Sequence, residues 1–163
     1  MTTKTTSIIA LVMIALALLA GAILWNQLPD QMASHWNVND EVDGTMPKVW
    51  GVLLMPLVTL GMFVLFLIVP GIDPLKANIA KFRPTFNLFI ALIVAFMLYM
   101  HGLTFVWNLG FQNFKMSAAM LPFLGILFIF IGYMLRQAKR NWFIGIRTPW
   151  TLSRRRSVRA CRA

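Results

Sequence analysis

VWGVLLMPLVTLGMFVLFLIVPGI, residues 49–72, runs for 24 positions without a charged side chain. A helix rises about 1.5 Å per residue, so the stretch is long enough to cross a hydrocarbon core about 30 Å thick. Three more runs of this kind lie on either side of it, from about Ser7 to Trp25, Phe86 to Leu109 and Met116 to Leu135. None alternates as a barrel strand does, and an open sheet would leave backbone groups unpaired in lipid. The expected fold is an all-α integral membrane protein with four transmembrane helices. Trp25, Trp50, Trp107 and Trp142 fall near the run boundaries, where indole rings favour the headgroup zone.

Composition agrees. Of 163 residues 59% are hydrophobic and 12% charged, whereas soluble domains carry about a quarter charged residues. The single cysteine, Cys161, has no intrachain partner for a disulfide. Of the 15 Lys and Arg, 13 fall before the first run, between the second and third, or after the fourth, and the other two connections hold only Lys48 and Lys115. Positive residues collect on the cytoplasmic side, so a multi-pass cell-membrane protein with both termini inside is expected, and loop 26–48 lies outside. This explains the net charge of +10 without nucleic acid and makes anionic lipids at the cytoplasmic face the expected partner. The chain divides into a transmembrane domain, 1–136, and a basic juxtamembrane segment with an Arg-rich tail, 137–163. Ala20-Gly21-Ala22 would suit signal-peptide cleavage, but the apolar run continues through Ile23, Leu24 and Trp25 and is long enough to span.

Signatures of catalysis are missing: no Gly-rich phosphate loop, no H-E-x-x-H, no paired-cysteine metal site, no nucleophile elbow. No catalytic residue, cofactor or metal is therefore assigned, and an enzyme is not expected. The external loop reads NQLPDQMASHWNVNDEVDGTMPK over Asn26–Lys48. His35, Asp40, Glu41 and Asp43 are ligand types for a divalent cation, yet an EF-hand frame from Asn39 puts Trp50 where the bidentate Glu belongs. The plainer reading is a polar loop turning at Asp43-Gly44. In the third run Asn87, His101, Thr104 and Asn108 fall on one helix face. Such a stripe serves proton or substrate handling, or interhelical hydrogen bonding; with no Asp, Glu, Lys or Arg inside any run, the second is expected. Ala17 with Gly21, and Gly125 with Gly132, offer close helix approach, while Pro56 and Pro122 interrupt backbone hydrogen bonding.

After the last run comes Asn141-Trp-Phe-Ile-Gly-Ile-Arg-Thr-Pro-Trp-Thr-Leu152, in which Gly145 permits unusual dihedrals and Pro149 fixes a turn. This string and the external loop resemble the SdpI family of membrane proteins, named for an immunity protein against a secreted toxin. The loop is similar to that family's opening domain of unknown function in Leu28-Pro29, His35-Trp36-Asn37, Asp43-Gly44 and Lys48. The internal string matches its other hallmark in Asn141, Trp142, Phe143, Gly145, Ile146, Arg147, Thr148, Pro149 and Trp150. Asp40 departs from the pattern, since the family commonly has Gly there. Family members usually continue with two further transmembrane helices, whereas here Ser153 is followed by five arginines in ten residues. The resemblance implies toxin immunity, signalling by holding a transcriptional repressor at the membrane, or both. It makes loop 35–48 the candidate surface for a secreted peptide toxin and segment 141–152 the candidate contact for the repressor. Alternative readings are a small transporter or channel accessory subunit using the polar stripe, and a truncated, non-functional fragment of a six-helix member.

Overall fold

The computed structural model describes residues 1–144. Its elements in chain order are helix α1 (Thr3–Leu24), strands β1 (Gln31–Trp36) and β2 (Val42–Pro47), helices α2 (Lys48–Ile72), α3 (Lys76–Ala80), α4 (Arg83–Asn108) and α5 (Met116–Gln137). Four of the helices, α1, α2, α4 and α5, are long and apolar enough to cross a membrane. α1 begins ahead of its apolar run because Thr2 caps it, its hydroxyl accepting from the Thr5 amide at 3.1 Å. α4 likewise starts at Arg83, with Pro84 in the first turn where no amide donor is missed. Pro56 and Pro70 both lie inside α2. Pro56 cannot bond the carbonyl one turn back, and Thr59, three residues on, turns its own hydroxyl onto Met55 O at 2.7 Å.

α1, α2 and α4 pack against one another, and α5 lies against α4. Ring stacking holds that last contact, with Tyr99 and Phe123 centroids 5.3 Å apart and Tyr99 Oη donating to Ala119 O. The core has two parts. Ala10, Phe63, Phe82, Phe86, Ile90 and Val94 fill the end nearer the N-terminus, and Leu28, Met32, Val52 and Phe105 fill the other. Large apolar side chains such as Leu16, Leu65, Phe128 and Ile129 point outward, the arrangement a helix needs where its surroundings are acyl chains.

Gly21 carries the closest helix approach. A Cβ there would stand 2.4 Å from Val52 Cγ1, a stiff β-branched neighbour on α2. Gly21→Leu is expected to push α1 from α2 and lower stability by about 1–3 kcal/mol, the range for overpacking, read as an earlier unfolding midpoint in detergent. Gly125→Ala serves as the contrast, because nothing among the described residues lies within 4 Å of a Cβ at Gly125 or Gly132. The close approach anticipated at that second glycine pair is therefore not made among the described residues.

The segment joining α1 and α2 is an antiparallel hairpin, a feature the apolar patterning did not expose. Its pairs run Gln31↔Pro47, Met32↔Met46, Ala33↔Thr45, His35↔Gly44 and Trp36↔Val42, and the register shifts on both sides of His35, skipping Ser34 and Asp43. The turn is not at Asp43-Gly44, which lie in β2, but at Asn37–Glu41. Asn37 Oδ1 accepts from the Asn39 and Glu41 amides at 2.8 and 3.0 Å, an Asx turn that outcompetes the Asp-Gly pair as the reversal point. Gly44 instead serves the irregular register, since a Cβ there would stand 2.9 Å from His35 Cβ.

Candidate functional site

Each residue of the hairpin motif has a distinct place. Leu28 is buried beneath the hairpin while Pro29 is exposed. Trp36 packs edge-on against Trp107 of α4 at 5.6 Å, and Trp107 in turn against Phe114. Lys48 closes the base: its ammonium lies 3.0 Å from Asp30 Oδ1 and over the Trp25 ring, and its amide donates to Asp30 O. Asn37 also binds the Glu41 carboxylate through Nδ2. His35 and Asp43, from the two strands, meet at 2.5 Å on the solvent face, with side-chain exposures of 72% and 43%. The acids are thus dispersed, and among the described residues no three His, Cys, Asp or Glu gather to hold a metal ion.

Two side-chain clips fasten the hairpin to the helices. Asn108, at the end of α4, pairs with the buried β1 backbone as a third strand would: Ala33 N donates to Asn108 Oδ1 at 2.8 Å, and Asn108 Nδ2 donates to Ala33 O at 3.1 Å. At the turn, Asp40 reaches the start of α5, accepting from Ser117 N at 2.8 Å and Ser117 Oγ at 2.6 Å. These bonds satisfy helix-start donors that the α5 N-cap residue, Lys115, leaves unfilled.

Asp40 has φ +62°, the left-handed region that glycine enters without steric cost. Here the residue adopts strained backbone and gains a carboxylate that spans to α5. The Ser117 hydroxyl bond, then the Ser117 amide bond, hold its carboxyl below the usual carboxylate range. A group depressed in the folded state stabilises it above the unfolded pKa and stops doing so as pH falls through the folded value. The clip is therefore expected to persist from neutral pH to below about pH 4, the ordinary Asp range, and to release under stronger acid. Asp40→Gly should speed amide exchange at Ser117 while leaving the hairpin turn as protected as before. Asp40→Ala should loosen both, because it loses the clip and keeps the backbone strain of about 1 kcal/mol. Equal turn exchange in the two variants would contradict the role given to φ.

The polar stripe of α4 does not converge on one site. Asn87 sits 21 residues before Asn108, about 30 Å along the axis, and is bound into the other end of the bundle. It donates to Met1 O and Thr3 Oγ1 and accepts from Arg83 Nε. A shared helical face fixes direction but not height. Thr104 donates back to Met100 O, and His101 is buried against Phe105 with no hydrogen-bond partner for Nε2 among the described residues.

At the end away from the hairpin, the first residues of the internal motif are docked. Asp73 is buried, accepting from Leu75 N through Oδ1 and from Trp142 N through Oδ2, both at 2.7 Å. Asn78 Nδ2 donates to Arg140 O at 2.8 Å. Asn141 folds the segment on itself, its Oδ1 accepting from the Phe143 and Ile144 amides and its Nδ2 donating to Lys139 O and Ile144 O. Trp142 and Phe143 are exposed. Gly145, Ile146, Arg147, Thr148, Pro149 and Trp150, with the Arg-rich tail, lie outside the described residues. Sequence reading passed over Asp73, Asn78 and Ser117. An acid directly after an apolar run was the available pointer to Asp73, since a carboxylate at that border needs partners.

Four apolar spans, a polar hairpin clipped across one end and an ordered polar segment at the other define a multi-pass membrane protein. A domain family described as a domain of unknown function (DUF1648) matches residues 12–60, from the middle of α1 through the hairpin into α2. The chain is also 26% identical over 147 residues to the immunity protein SdpI of Bacillus subtilis (strain 168), covering 90% of this chain and 67% of that protein. It is a multi-pass membrane protein similar to that immunity protein. No solved structure matches it significantly.

Proposed function

We propose that this chain is a non-catalytic toxin-immunity protein and membrane signal transducer. The hairpin is the outward surface that meets a secreted peptide toxin, and segment 141–152 is the inward contact for a transcriptional repressor. The observation that carries this reading is the fastening of the hairpin to α4 by Asn108 and to α5 by Asp40. A ligand that moves the hairpin acts directly on both helices, and α5 leads straight into the docked motif. The similarity to an immunity protein supports the same reading. The charge asymmetry supports the orientation: among the described residues the hairpin end carries Lys48 and Lys115, the other end Lys4, Lys76, Lys81, Arg83, Arg136, Lys139 and Arg140. In this reading 1–136 is the membrane domain and 137–163 the cytoplasmic segment, resting on anionic lipid. The exposed His35–Asp43 pair is placed for first contact with toxin.

Coupling requires that toxin bind two arrangements of the hairpin with different affinity. The test is survival of toxin-sensitive cells expressing this chain, challenged with a secreted SdpI-type toxin peptide, with membrane abundance measured in the same cultures. Protection that falls in His35→Ala or Asp43→Ala at unchanged abundance is the expected result. Killing despite full insertion of the parent chain would reject the immunity role. The transporter reading draws no support from the stripe, whose asparagines are engaged in bonds at opposite ends of α4.

A further inference from the structure

Between the hairpin and the helices lies a cavity of about 70 Å³. Ser34 of β1, Met46 of β2, Trp50 and Met55 of α2, and His101 and Thr104 of α4 are among the residues that line it. Apart from the Ser34 hydroxyl, which can also donate, and the Trp50 indole, the heteroatoms of these side chains offer lone pairs. The thioethers of Met46 and Met55 only accept, and the Thr104 hydroxyl has given its proton to Met100 O. His101 is 3% exposed and its Nε2 has no hydrogen-bond partner among the described residues, although an imidazole buried this deeply ordinarily has one. The nearby Ala33 amide and carbonyl are already taken by Asn108 and cannot serve it. Among the described residues, no carboxylate, ammonium or guanidinium lines the cavity.

Uncharged sulfur and nitrogen donors around a small cavity suit a particular class of ligand. Hard divalent cations need several oxygens and usually carboxylate charge, neither of which is here. Thioether and imidazole ligands select soft ions, and a monovalent ion asks for no compensating acid. We propose that this cavity binds one soft monovalent d10 cation, Cu(I) or its analogue Ag(I), with the imidazole of His101 and the thioethers of Met46 and Met55 as ligands. The ligands come from β2, α2 and α4, so the bound ion ties the hairpin to both helices.

The test uses the full chain carrying Cys161→Ser, which removes the one competing thiol, purified in detergent and titrated with Ag(I) and, under reducing conditions, with Cu(I) against a chromogenic chelator. One tight equivalent per chain is expected, with sulfur and nitrogen scatterers in the X-ray absorption spectrum of the copper form. Met46→Leu/Met55→Leu keeps side-chain volume and should weaken binding by more than about tenfold. His101→Leu should do the same, with gel filtration and circular dichroism confirming the fold. Absence of a tight equivalent in the parent, or its retention in either the methionine pair variant or His101→Leu, would overturn the assignment and place any bound metal on other methionines.

Discussion

Asn108→Leu is expected to free the hairpin while leaving the four helices assembled. The amide of Asn108 makes two bonds to the backbone of Ala33, a residue 9% exposed. Leucine preserves bulk but offers neither donor nor acceptor, so an N–H and a C=O lose their partners at a buried edge. At 1–3 kcal/mol per unsatisfied group, with some relief from water entering at the membrane border, the cost is about 2–4 kcal/mol. Amides of Met32–Trp36 should then exchange faster by about one and a half to three orders of magnitude, while those in the middle of α4 keep their protection. Asn108 also donates to Thr104 O, but a helix carbonyl already bonded along the helix loses little. If the hairpin is the toxin surface, the same variant loses protection in the survival assay at normal abundance. Unchanged exchange at Ala33 would show that β2 and Trp36 alone hold β1 in place.

Asp73→Ala should have a comparable effect at the opposite end. The carboxylate is 2% exposed and takes two amide donors at 2.7 Å, one closing the exit of α2 at Leu75 and one 69 residues away at Trp142. Hydrogen bonds to a charged acceptor contribute about 1.5–3 kcal/mol each, so losing both costs about 3–6 kcal/mol locally. Most of that falls on the short segment after α5, which is otherwise tied down by Asn78 and by its own Asn141. Lys139 and Arg140 are exposed side chains on backbone that is hydrogen-bonded, so trypsin reaches the peptide bonds only when the segment opens. Cleavage there is expected to accelerate by about a hundredfold or more in Asp73→Ala, following the opening equilibrium. Asp73→Asn should lie between, because a carboxamide keeps one acceptor and turns an NH2 toward the other donor. No acceleration in either variant would remove Asp73 from the docking of the motif. In the signalling reading, both variants uncouple toxin exposure from the repressor while immunity at the hairpin persists.

The two ends of the molecule were legible in the sequence to different degrees. Residues 49–72 announced a span because the membrane applies a one-dimensional test, apolar length, that needs no knowledge of neighbours. Lys and Arg placement gave the asymmetry between the ends for the same reason. The hairpin was not legible from alternation, since β1 buries Met32 and Ala33 consecutively and skips Ser34 in its register. Its turn was misplaced to Asp43-Gly44, where a familiar dipeptide lost to the Asn37 side chain, whose two amide bonds depend on local three-dimensional closure. The α4 stripe reads as one face in the sequence, and Asn87 and Asn108 bond at its two ends.

What the sequence determined by itself was the number of spans, their class and the charge of each end, all properties that add up along the chain. Tertiary structure alone decided which polar groups meet. Asp40 with Ser117 and Ala33 with Asn108 are separated by 77 and 75 residues, and Asp73 with Trp142 by 69. Each pairing depends on the height and rotation of helices packed through contacts such as Gly21 on Val52, and a hydrogen bond tolerates only a few tenths of an ångström of error in either.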